Sequence, residues 1–178
     1  MREELRTDRL LLRLWRDPDR FPFRHINADP HVMEFFPEPL TTEASDALFH
    51  RARQHFNRHG FGPFAVELIA TGTFIGFIGL SVPSFEAHFT PAVEIGWRLA
   101  FEYWGMGLAT EGARAVVDYG FSRLGLRQIV SFTAPANIRS RRVMEKLGMT
   151  HDLADDFDHP RLPKGHRLRR HVLYRITR

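Results

Sequence analysis

Two glycines separated by one residue, Gly105 and Gly107, stand between Trp104 and an amphipathic run in "EYWGMGLATEGARAVVDYGF", residues 102–121. A strand that ends in a Gly-x-Gly turn and enters a helix aims several free backbone N–H groups at one point, and the helix dipole adds positive potential there. Glycine also lets a phosphate come against bare backbone. The chemistry on offer is anion binding. The stretch has no third glycine with a downstream acid, as a dinucleotide fingerprint has, and no Lys-Ser/Thr pair, as a P-loop has. By themselves these residues serve a structural turn as readily as a phosphate cradle. A second pattern, "ANIRSRRVMEKLGM" at residues 136–149, sets Asn137 and Ser140 at the start of a helix that runs out at Lys146-Leu147-Gly148. Asn137 is first of all a helix N-cap.

The elements that must position these residues are legible from period and punctuation. "DRLLLRLW" (8–15) reads as an opening strand, and 17–36, broken by Pro18, Pro22 and Pro30, as short helical turns with loops. Residues 41–60 read as a helix capped by Thr41 or Thr42 and ended by Gly60. "FAVELIA" and "TFIGFIGLSV" form a hairpin around Thr71-Gly72, and residues 92–100 form a further strand with Gly96 inside it. Ala109, Ala113, Val116, Val117, Gly120, Phe121 and Leu124 recur at helical spacing before Gly125. "RQIVSFTA" is a strand, "NIRSRRVMEKLG" a helix with Val143, Met144 and Leu147 inward, and "HVLYRI" a late strand. Antiparallel hairpins followed by strand–helix–strand–helix predict an α/β (α+β) domain whose mixed sheet changes from antiparallel to parallel near residues 92–134.

The chain of 178 residues is read as a single domain spanning 1–178, large enough to bury a core without metal or disulfide staples. With no cysteine, disulfides, Cys-ligated zinc and thiol catalysis are excluded together. The charged opening segment "MREELRTDRL" lacks a signal-peptide apolar run, and "FIGFIGL" (74–80) is too short to span a bilayer. A soluble, cytoplasmic protein with no membrane contact is expected. Lys plus Arg number 25 against 21 acids, unevenly spread: seven basic residues and no acid follow from Arg161, whereas residues 151–160 hold four aspartates. No Arg/Lys-rich helix or aromatic RNA-binding signature accompanies the basic end, so a solvated surface or an anionic small ligand is expected rather than nucleic acid.

Taken together, "TDRLLLRLW", "VEIGWRLAFEYWGMGLATEG" and "NIRSRRVMEKLGM" resemble the GNAT superfamily of acyl-CoA-dependent N-acetyltransferases, in the branch of RimJ/RimL-type ribosomal-protein N-terminal acetyltransferases. The resemblance touches the start, middle and later part of the chain. It implies a GNAT-type fold with a splay between the fourth and fifth strands, where the 128–133 strand parts from the 92–100 strand. It implies that coenzyme A lays its pyrophosphate on the backbone of Trp104, Gly105, Met106, Gly107, Leu108, Ala109 and Thr110. The pantetheine arm would run beside Trp97, Arg98 and Leu99, and Asn137 would contact the cofactor near its reactive end. Acetyl transfer needs a held amine, a proton acceptor, a donor for the developing oxyanion and a proton for the leaving thiolate. The resemblance implies Glu94 as the base, acting through water, although an outward polar residue in an alternating strand reads the same way. The oxyanion donor would be a backbone N–H near Ile95–Trp97. Many relatives carry a tyrosine seven residues after the helix-start asparagine; here Met144 stands there and cannot donate a proton. Ser140 is the candidate to orient the sulfur or relay a proton, with solvent as the alternative. Glu102, beside the turn, is expected to point away from a pyrophosphate.

The acceptor implied is a primary amine, either a protein N-terminal α-amine or a small molecule, handled by a monomer or homodimer without a metal. A non-catalytic acyl-CoA-binding module is the alternative function. The Asp/His-rich segment at 151–166, with Asp155, Asp156, Asp158, His159 and His166, is expected to border the acceptor site and attract a cationic amine. Of Phe35, Phe36, Phe61, Phe64, Phe85 and Phe89, one or two are expected to line the groove and the rest to fill the core.

Overall fold

The computed structural model describes residues 4–178; the first three residues of the charged opening segment lie outside the described residues. The strands are β1 (Leu5–Arg6), β2 (Leu10–Arg13), β3 (Pro63–Leu68), β4 (Thr73–Ser81), β5 (Glu94–Leu99), β6 (Gln128–Thr133), β7 (Thr150–His151), β8 (Phe157–Asp158) and β9 (Arg170–Thr177). The helices are α1 (Arg20–Ala28), α2 (Thr42–His59), α3 (Leu108–Ser122) and α4 (Ile138–Lys146). The strands form a nine-stranded sheet in the order β1-β2-β3-β4-β5-β6-β9-β7, with β8 also paired to β9. Every pairing is antiparallel except β5 with β6.

Residue alternation along the strands divides the core between two faces. Ile95 and Leu99 of β5, Ile129 of β6 and Val172 of β9 pack with Leu108, Ala113, Val116 and Val117 of α3 and Met144 of α4. On the opposite face, Trp15, Phe23 of α1, Phe49 and Ala52 of α2 and Ala65 of β3 enclose a second cluster with Phe74 and Phe77. A buried Arg13–Asp19 pair at 2.8 Å joins β2 to the turn that leads into α1. Thr41 caps α2 through Ala44 N–H at 3.2 Å, and Gly60 closes the helix at φ 77.

Where short turns are expected from the prolines, α1 is a regular nine-residue helix. Pro22 lies in its first turn, where a missing N–H costs nothing because that donor has no intrahelical partner.

The feature that shapes the site is the brevity of the parallel pairing. β5 and β6 share a single register pair, Glu94 with Val130, in which Val130 N–H donates to Val93 O at 2.9 Å. The next acceptor on β5, the Ile95 carbonyl, is taken instead by the Ser131 hydroxyl at 2.9 Å. β6 meanwhile keeps its full antiparallel ladder with β9, from Gln128–Thr177 to Thr133–Val172. The two strands therefore part just after Glu94, giving the expected splay.

Candidate active site

A cavity of about 730 Å³ lies where β5 and β6 part. Ala100 N–H donates to Ile75 O, so even-numbered backbone groups of β5 turn toward β4 and odd-numbered ones toward β6. Beyond Ile95 that second edge has no strand to meet. Trp97 N–H, Trp97 C=O and Leu99 N–H face the opening, while the Leu99 carbonyl accepts from the Trp104 indole at 2.8 Å. Arg98 differs from its neighbours. Its backbone belongs to the β4 ladder, opposite Phe77, and its side chain lies on the sheet face covered by α1.

At one end of the opening stands the N-terminus of α3. Gly107 is its cap residue at φ 79 and Gly105 has φ 75, left-handed conformations that tax any residue with a Cβ. No side chain caps this helix, and its first backbone bond is Glu111 N–H to Gly107 O. The N–H groups of Leu108, Ala109 and Thr110 are therefore free at a positive helix end. The first-turn acid that would repel an anion is engaged elsewhere. Glu111 accepts from Thr7 at 2.6 Å and from Arg9 N–H and Nε at 2.9 and 2.7 Å. Arg9 also donates to Met106 O at 3.0 Å, tying the glycine turn to the opening strands. Arg139, Arg142 and Lys146 of α4 border the same cavity.

Glu94 sits at the inner end, on the face shared with Gly96 and Arg98 and opposite Ser81 of β4. Burial pushes its carboxyl up to about 8, with a Ser81 hydrogen bond opposing the shift. A carboxyl that titrates near neutrality is suited to accept a proton.

From α4, Asn137 accepts the Ser140 N–H at 3.2 Å and donates to Thr133 Oγ1 at 2.9 Å, so its side chain caps the helix and ties it to β6. The Ser140 hydroxyl borders the cavity and has no protein partner among the described residues. Met144 is buried and also reaches the cavity wall.

Of the residues expected from sequence, Glu94, Trp97, Arg98, Leu99, Trp104, Gly105, Gly107, Leu108, Ala109, Thr110, Asn137 and Ser140 all border this one cavity. Met106 does not; it is 53% exposed. Glu102 is exposed and outside it. Phe35 and Phe36 line the cavity, whereas Phe85 and Phe89 pack with Phe132 and Phe157 behind it.

The 151–166 segment borders the cavity as expected, but the expectation that its acids face a cationic amine there is corrected. Asp155 pairs with Arg175, Asp156 with His151 and Asp158 with Arg169, and none of the three borders the cavity. That segment presents His159, Arg161 and Leu162 instead, joined by His171 of β9. Burial, then His171 and Arg161, holds the His159 ring down at about 4, and burial lowers His171 as well.

Sequence reasoning also passed over Ser81, Ser131 and the Asn27 that holds Arg98, because their roles depend on strand register and helix docking. Among the described residues no group of three His, Asp or Glu side chains converges as a metal site, and no helix is long and apolar enough to cross a membrane.

A family model described as an acetyltransferase (GNAT) domain matches residues 9–150. An uncharacterized N-acetyltransferase of Bacillus subtilis, YnaD, is 33% identical over 159 residues, covering 89% of this chain and 88% of its own. The crystal structure of a GNAT-family acetyltransferase from Bacillus anthracis superposes with a TM-score of 0.80 at 27% identity, covering 98% of both chains. Mycobacterium smegmatis RimJ, solved with CoA-disulfide, superposes with a TM-score of 0.75 at 26% identity, covering 99% of this chain and 86% of its own. With an uncapped helix end, an open strand edge and a titratable carboxyl around one cavity, and with that match across most of its length, the chain belongs to the GNAT family of acetyl-CoA-dependent N-acetyltransferases.

Proposed function

We propose that the whole chain works as one acetyltransferase domain, passing acetyl from acetyl-CoA directly to a primary amine without a covalent enzyme intermediate. The single observation that carries this reading is that the free N–H groups of α3, the unpaired edge of β5 and Glu94 all open onto the same cavity. Gly105, Gly107, Leu108, Ala109 and Thr110 would hold the pyrophosphate on backbone amides, with Trp104 and Met106 completing the turn. Trp97 and Leu99 would pair with the amide-bearing arm as a missing strand would. Trp97 N–H is then free to donate to the acetyl oxygen as charge develops on it.

The amine nitrogen attacks the acetyl carbon, the C–N bond forms as C–S breaks, and the ammonium proton leaves through water to Glu94. The departing thiolate takes a proton from solvent or by way of Ser140, whose hydroxyl is otherwise unengaged. The acceptor is a protein N-terminal amine, as the likeness to RimJ suggests, or a small-molecule amine. Met144, buried where a proton donor could stand, favours a second reading as a non-catalytic acyl-CoA-binding module.

Incubating the protein with acetyl-CoA and a panel of peptides and small amines separates the two. Free thiol and acetylated amine are expected in equal amounts, dependent on the acceptor. Acetyl-CoA binding without acceptor-dependent thiol release would support the module.

A further inference from the structure

Beside the amine end of the cavity lies a charge that the reaction outlined above does not use. Arg98 is only 9% exposed and has no carboxylate within ion-pair distance among the described residues. Its Nη1 donates to Asn27 Oδ1 at 2.6 Å, and Asn27 is held in turn by donating to Ser45 at 2.8 Å, so α1 and α2 fix the guanidinium from behind. Phe36 covers its plane at 4.1 Å and Phe77 lies at 5.7 Å. Nε is the one sealed side-chain polar atom without a hydrogen bond among the described residues; Nη2 also lacks a protein partner but is not sealed.

Burial lowers the Arg98 pKa to about 10, which leaves it charged at neutral pH. A buried, fixed and unpaired guanidinium costs several kcal/mol unless something compensates it. Coenzyme A's phosphates are not the natural compensation, since the free amides that suit them lie at the α3 end and Arg98 turns to the α1 face.

The neighbouring glycine indicates where a counter-ion could lie. Gly96 is midway between Glu94 and Arg98 on one face of β5, so at about 3.3 Å per residue it is about 7 Å along the strand from each. A Cβ built on Gly96 would meet nothing within 4 Å, and its φ is not one that demands glycine. Open space thus runs along the face from the carboxyl to the guanidinium. Its walls, Val32, Phe35, Phe36, Pro37, Phe132 and Leu162, are apolar. Besides Glu94 and Arg98, the charged side chains bordering the cavity are the cations Arg139, Arg142, Lys146 and Arg161, while His159 and His171 are held neutral and Asp155, Asp156 and Asp158 are paired away. Such a chamber repels polyamines and suits an anion.

We propose that Arg98 binds an anionic group, a carboxylate in the simplest case, on an acceptor amine whose apolar body spans Gly96 while its nitrogen faces Glu94. The acceptor class is therefore an elongated amino acid or acidic N-terminal peptide, with amine and anion several bonds apart. This rests on the acetyl-transfer reading above.

The test compares 4-(2-aminoethyl)benzoate with its methyl ester, which share the amine and ring and differ in the charge. The wild-type protein is expected to favour the carboxylate in kcat/KM by roughly ten- to a hundredfold, the range of a hydrogen bond to a charged partner. In Arg98→Met that ratio should fall to near one; because a ratio is read, a general loss of activity cancels. Arg98→Lys should keep part of it. Equal use of the two probes by the wild-type protein overturns the proposal, as does a ratio that survives Arg98→Met. So does a rise in the Kd of acetyl-CoA with the ratio intact, which would assign Arg98 to the cofactor. If no amine is acetylated, the acetyl-transfer reading fails, and calorimetric binding of the two probes decides the anion site alone. Carboxylate-selective binding lost in Arg98→Met sustains it, and no selectivity refutes it. Should Arg98→Met not fold, the wild-type preference and its decline with added salt carry the same decision.

Discussion

Replacing Glu94 with glutamine removes a carboxyl whose protonation the cavity controls, and both stability and turnover should register the loss. Burial moves its pKa from 4.5 to about 8. A displacement of that size is worth up to about 5 kcal/mol, and water entering the adjoining cavity should leave about 2–3 kcal/mol measurable. The sign follows from proton uptake. The folded protein holds this proton more tightly than the unfolded chain, so its contribution is complete below pH 4.5, declines as pH rises and is spent above about 8. Glu94→Gln cannot ionise and escapes that decline. Urea unfolding of both proteins at pH 5, 7 and 9 should show the variant gaining on the wild type by about 2–3 kcal/mol over this range. Turnover has the opposite dependence, because a base works only when deprotonated. With aminoacetonitrile, a weakly basic amine that is already neutral at pH 7, wild-type kcat/KM should climb from pH 7 and level off above about 8. The variant should be lower by roughly a hundred- to ten-thousandfold and flat. Stability curves that remain parallel would refute the burial argument, and a rate profile unchanged by the substitution would refute the role of base.

Other substitutions separate holding from chemistry. Ser140→Ala should lower kcat several-fold while leaving the Kd of acetyl-CoA, measured by calorimetry, nearly unchanged; the reverse pattern would make Ser140 a binding residue. Gly107→Ala places a Cβ at φ 79, where backbone strain of about 1–2 kcal/mol is expected. The nearest atom to that Cβ, Arg9 Nη2 at 3.6 Å, leaves room for it. Weaker acetyl-CoA binding with only a modest drop in Tm is the expected result, and unaltered affinity would count against the α3 end as the phosphate seat.

How much of this was legible in the sequence depended on whether a residue's job is local. The Gly105-x-Gly107 turn, the Thr41 and Asn137 caps and the amphipathic face of α3 follow from short-range chemistry, and the structure has them at the expected positions. The splay was implied by family resemblance, but its cause was not readable. It depends on Ser131 reaching the Ile95 carbonyl and on β6 keeping its ladder with β9, a partner remote in sequence, with Thr133 opposite Val172 and Gln128 opposite Thr177. The aspartates after His151 misled for a related reason. Their density suggested an acidic wall, yet Asp155, Asp156 and Asp158 are consumed by arginines or a histidine brought alongside by β7, β8 and β9, as Asp155 is by Arg175, and Asp152 caps a short turn through Ala154 N–H. Arg98 read as one member of a strand beside the pantetheine. Only the docking of α1, which brings Asn27 within 2.6 Å, reveals that its side chain belongs to the other face.

The account stands on both reactants meeting in the opening between β5 and β6, and a crystal structure with an unreactive ketone analogue of acetyl-CoA and 4-(2-aminoethyl)benzoate tests that most directly. It predicts phosphate oxygens on the amides of Leu108, Ala109 and Thr110, the pantetheine arm against Trp97 and Leu99, and the acceptor nitrogen nearer Glu94 than Arg98. The analogue bound away from the α3 N-terminus, or an acceptor separated from Glu94 by the sheet, would contradict it.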